Sequence, residues 1–138
     1  TVIDHSKSPE QPYFIDQKEI YNPGKTSLLE VPISITKVNH LLLGKRTLWL
    51  RPKFSSFRKV KKLIHIFEKK YGDRDNIFLI MMFHSQEVIP CASPYTTSDK
   101  EVDDYVKTLD RVFEFSSKLN MEFITLEEIY ERLSNNEQ

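Results

Sequence analysis

A single cysteine, Cys91, stands in 138 residues. One thiol closes no intrachain disulfide and builds no CxxC zinc site, and it fits a reducing compartment as well as it fits the exported proteins that lack disulfides. Glycine is scarce too: there are three, all isolated, so no glycine-rich loop exists to cradle a phosphate. Neither sign of charge dominates, because 20 Lys and Arg offset 20 Asp and Glu. A chain whose main partner is nucleic acid usually keeps a basic excess, and a polybasic membrane-surface domain needs one, so both classes are disfavoured. The longest apolar run, Ile77 to Phe83, is far too short to cross a bilayer. No signal peptide is visible, and a cytoplasmic location is expected. The four histidines, His5, His40, His65 and His84, form no HxxxH or HExxH pair, so the chain has no metal-site spacing.

Residues 1–27 carry Pro9, Pro12, Pro23 and Gly24 and keep no hydrophobic period, so an irregular segment is expected. That opening, beginning at Thr1, reads as a mid-domain loop. From Leu28 the pattern becomes regular, and one domain is expected over 28–134, with a polar tail at 135–138. "LLEVPISIT" (28–36) reads as a strand broken or edged by Pro32, and "KVNHLLLG" (37–44) as a short helix closed by Gly44. "RTLWLRP" (46–52) reads as a second strand. Residues 55–72 place Phe57, Val60, Leu63, Ile64, Phe67 and Tyr71 on one helical face. "IFLIMMF" (77–83) does not alternate, which predicts a strand covered on both faces, as in a parallel sheet. The clearest helix is 98–120, opened by a capping box of Ser98 and Glu101. "MEFIT" (121–125) reads as a fourth strand, and Thr125 with Glu128 caps a last helix carrying Leu126, Ile129, Tyr130 and Leu133. Strands alternating with helices predict an α/β fold with mostly parallel strands and outer helices.

In such folds ligands gather at the carboxyl ends of strands. Glu30 lies within the first strand, Arg51 ends the second and His84 ends the third, so the three are expected to converge on one pocket. His84 is the foremost candidate: an imidazole titrates near neutrality and serves as general acid or base, unless it merely satisfies a backbone group. Arg51 either clamps an anionic group with its fork of donors or forms an ion pair with Glu30 or another acid. "SPY" (93–95) either aims Tyr95 at a ring or simply leads into the Ser98 cap. Cys91 has no activating neighbour and reads as packing. His65 and the run "RKVKK" (58–62) fall on the polar face of their helix and read as solvated.

Together, "LLEVPIS", "LWLRP", "IFLIMMFHSQEVIPCASPY", the long helix and "FITLEEI" resemble the C-terminal half of bacterial polysaccharide deacetylases, over roughly residues 28–133. The resemblance implies a partial, distorted (β/α) barrel from an enzyme that removes the N-acetyl group of amino sugars. It implies a divalent metal, usually zinc, that binds the attacking water, a carboxylate base, and a late histidine that protonates the leaving amine. His84 matches that histidine, and Met82 and Phe83 match residues that line the acetyl pocket. The family's metal and base aspartates and its histidine pair have no counterpart, since Asp4-His5 is followed by no HxxxH. Two explanations fit: the C-terminal part of a longer deacetylase, which is the reading preferred, or a degenerate relative that lost the metal half. Either way the chain is expected to be inactive and metal-free alone. It is also expected to associate with its N-terminal half or with itself through open sheet edges. The rival is a non-catalytic α/β binding or regulatory domain.

Overall fold

Hydrophobic period and capping chemistry decide the helices. The computed structural model describes residues 8–40, 44–73 and 76–135. Helix α1 spans Phe57–Tyr71, α2 spans Asp99–Lys118 and α3 spans Leu126–Asn135. At the start of α2 the Ser98 hydroxyl accepts the Glu101 N–H at 3.3 Å, while the Glu101 carboxylate accepts the Thr97 N–H at 2.6 Å and the Thr97 hydroxyl at 2.9 Å. Before α3 the exchange is reciprocal: Glu128 accepts the Thr125 N–H at 2.6 Å, and the Thr125 hydroxyl accepts the Glu128 N–H at 3.2 Å. Each such cap stabilises its helix by about 1 kcal/mol.

The strands depart from expectation. Strand β1 is Tyr13–Phe14, β2 is Leu29–Glu30, β3 is Ile35–His40 and β4 is Gly44–Trp49. They form two separate two-stranded ladders, β1 with β2 and β3 with β4, both antiparallel. The barrel of parallel strands is therefore not what this chain forms, and the mostly parallel sheet expected from its pattern is corrected with it. The reason is connection length: only residues 41–43 separate β3 from β4, whereas a parallel crossover needs about a dozen residues or more. The helix expected over 37–44 is likewise strand as far as His40, and its remaining residues 41–43 lie outside the described ones. Thr36 and Val38 turn inward between exposed Lys37 and Asn39, which is the period of a strand. Gly44 sits at φ +67°, in the left-handed region that an L side chain resists. "MEFIT" is not a strand, and β1 arises inside the segment expected to be irregular.

The chain divides into two units: Thr1–Pro32 with Glu122–Gln138, and Ile33–Met121. In the first, Tyr13, Phe14 and Ile129 are buried, Phe14 meets Tyr130 edge-on at 5.6 Å, and Arg132 pairs with Glu122 at 2.7 Å. Gly24 is forced by space there, since a Cβ would stand 2.3 Å from Asp16 Cα.

The second unit holds a core of Leu48, Leu50, Val60, Leu63, Ile64, Phe67 and Val112. Each large side chain buried there contributes about 1.5–3 kcal/mol. The apolar run 77–83 is extended beside this core but enters no ladder. Ser34 holds it twice, donating its N–H to the Ile80 carbonyl at 3.0 Å and accepting the Ile80 N–H on its hydroxyl at 2.8 Å. Met82 donates its N–H to the Leu50 carbonyl at 3.0 Å. Leu79 and Met81 pack on the core, yet only Phe78 in the run is buried, so the two-sided cover expected of a parallel strand is absent.

Candidate functional site

Three stretches of the second unit meet at one carboxylate. Arg51 follows β4, Glu87 lies on a single 3₁₀ turn at Ser85–Val88, and Tyr105 lies on α2. Arg51 Nη2 donates to Glu87 Oε1 at 2.9 Å. Glu87 Oε2 accepts the Tyr105 hydroxyl at 3.0 Å and the backbone N–H of His84 at 3.4 Å. The Glu87 side chain is 0% exposed and that of Arg51 12%. Burial works to raise the Glu87 pKa, but the Arg51 guanidinium, the His84 N–H and the Tyr105 hydroxyl outweigh it and hold the carboxyl below its usual range. Burial, and then the bond to Glu87, push the Tyr105 phenol well above its ordinary value. At neutral pH the node is thus a carboxylate between a cation and a neutral phenol donor.

Aromatic rings cover the guanidinium. The Phe54 ring centroid is 4.3 Å from Arg51 Cζ and that of Tyr95 is 5.5 Å away. The two rings meet edge-on at 5.0 Å. Phe54 is 51% exposed and Tyr95 42%, so both present surface to solvent above the cation. The loop carrying Tyr95 is tied internally: Cys91 donates its N–H to the Thr96 carbonyl at 2.9 Å, and the Ser93 and Thr96 hydroxyls lie 3.0 Å apart.

His84 is exposed at the end of the extended run. Phe83 beside it is exposed and Met82 is half-buried. Arg51 and Tyr95 come together as described, through Phe54. Glu30 does not belong to this unit; it is exposed on β2, its backbone paired with Tyr13, and the acid that Arg51 meets is Glu87. Cys91 does not pack: it is exposed, at φ 60°, with its thiol donating to the Thr97 carbonyl at 3.2 Å. His65 is exposed, 3.2 Å from Glu68 Oε2 and edge-on to Phe115. His5 lies outside the described residues.

Sequence reasoning missed Glu87 as the centre of the node and Tyr105 as its partner. The signal for Glu87 was present, because His84 and Glu87 have the spacing at which a side chain reaches back to the first residue of a turn. Tyr105 reads as one more apolar position of α2, and nothing in the spacing marks its hydroxyl. The divalent metal that the resemblance implies does not fit the described residues, among which no group of three His, Cys, Asp or Glu side chains stands close enough to hold one. Comparison with protein families, with curated proteins and with solved structures finds no match for this chain.

Proposed function

We propose that this chain supplies the proton-donating histidine, His84, of a deacetylase that acts on N-acetyl amino sugars of a polysaccharide. The resemblance of "FHSQEVIPCASPY" suggests the chemistry, and the observation that carries it is an exposed imidazole whose backbone is tied to a buried, charge-compensated carboxylate. In the reaction a water adds to the acetamide carbon, the C–N bond breaks, and acetate and a free amine leave. His84, protonated, gives its proton to the departing nitrogen. The metal ligands and the base belong to polypeptide other than the described residues, which is the partner that the proposal requires. Phe54, Phe83 and Tyr95 offer apolar faces on which a sugar ring can stack.

The test is acetate release from N-acetylglucosamine oligomers by the zinc-loaded gene product that carries this chain. His84→Ala should lower turnover by about 10²–10⁴-fold with the metal content unchanged. Turnover within a few-fold of native would overturn the assignment. The 138-residue chain alone, given zinc, should release no acetate.

One observation favours a non-catalytic role, as a sugar-binding or regulatory domain. Arg51, a candidate anion clamp, already spends its Nη2 on Glu87 and has a buried Nε with no acceptor among the described residues. For such a domain, His84→Ala would leave oligosaccharide binding and every activity of the gene product intact.

A further inference from the structure

Both backbone polar groups of His84 end on one residue. Its N–H donates to Glu87 Oε2 at 3.4 Å, and its carbonyl accepts the Glu87 N–H at 2.9 Å. His84 itself is extended, at φ −109° and ψ 136°, so the chain turns immediately after it. An imidazole reaches its target through only two side-chain torsions, and what fixes the Cα frame fixes most of its reach. A carboxylate withdrawn from water persists only where donors replace its hydration. Here those donors come from the segment after β4 (Arg51), from α2 (Tyr105) and from His84, so the position of the carboxylate is set from three sides.

We infer that Glu87 is a positioning residue: its carboxylate, clamped by Arg51 and Tyr105, sets the backbone frame from which the His84 ring is presented. This rests on the role proposed for His84. Tyr105 then acts at two removes, since its hydroxyl donates to the carboxylate and its ring lies in α2.

The experiment pairs amide exchange with kinetics. In the 138-residue chain, Tyr105→Phe removes one hydrogen bond and keeps the ring. His84 N–H exchange should then quicken about tenfold, while Val60 and Leu63 of α1 exchange as in the native chain. Glu87→Gln should do the same more strongly, and if that variant fails to fold, Tyr105→Phe decides. In the zinc-loaded gene product Tyr105→Phe should lower kcat about tenfold with KM unchanged. Glu87→Gln, which keeps one acceptor oxygen, should retain more turnover than Glu87→Ala. Unaltered His84 exchange in Tyr105→Phe, or exchange that quickens equally through α1, would overturn the inference. Native turnover in His84→Ala would instead sink the deacetylase role and leave the exchange result standing, so the two failures are distinguishable.

Discussion

Glu87 keeps a negative charge with no access to water, and its surroundings explain how. Its folded pKa lies below the ordinary glutamate value of 4.5. The stability it contributes is therefore complete above that value and is lost as pH falls through the lower folded one. The unfolding free energies of the native and Glu87→Gln chains, from urea titration, should differ most at neutral pH. The gap should narrow on acidification, as the carboxylate that gives the native chain its advantage takes up a proton. A gap that stayed constant from about pH 7 to about pH 3 would mean that charge is not what holds the node. At this scale the sequence was partly legible. His84 stood out because it ends an apolar run, whereas Glu87 looked like one polar residue among several. Its importance depends on Arg51 and Tyr105, and neither meeting is local in the chain.

At the scale of elements, α1, α2 and α3 were legible because each carries a helical apolar period, and α2 and α3 also carry cap residues that the structure engages. The hairpin was not. "KVNHLLLG" is short enough that strand and helix fit it equally, and its glycine suits a helix stop as well as a turn. The uninterrupted apolar run misled for a related reason: without alternation, a pattern says that a segment is apolar but not which neighbours cover it. Gly44 offers a clean test of the hairpin. Among the described residues nothing lies within 4 Å of a Cβ built there, so the cost expected of Gly44→Ala is strain in the backbone at φ +67°. A loss of about 1 kcal/mol is expected, read from the urea midpoint. Native stability in that variant would mean that Gly44 does not adopt this turn in solution.

For the molecule as a whole, the core and the proposed site share one continuous stretch. Ile33–Met121 contains the β3–β4 hairpin, α1, α2, the apolar run and every member of the Glu87 node. Residues 33–121 expressed alone should therefore unfold cooperatively and keep slow exchange at the His84 N–H, as measured by urea titration and by NMR. A non-cooperative melt would show that the remainder of the chain is needed to form the core. The sequence placed one boundary at Leu28 and ran a single domain to residue 134. It could not show that the segment before Pro32 shares a unit with α3, because contacts such as Phe14 with Tyr130 join residues too distant for any periodicity to register.

Ser34 has a consequence of its own. In an alternating strand a slip by one position exposes the wrong side chains and corrects itself. Residues 77–83 read apolar at every position, so sliding them would exchange one greasy set for another at little cost. The Ser34 hydroxyl and amide, with the Met82 amide on the Leu50 carbonyl, work as the stop pins of a ruler that has no markings. Where those pins engage decides where along the chain's surface the histidine emerges.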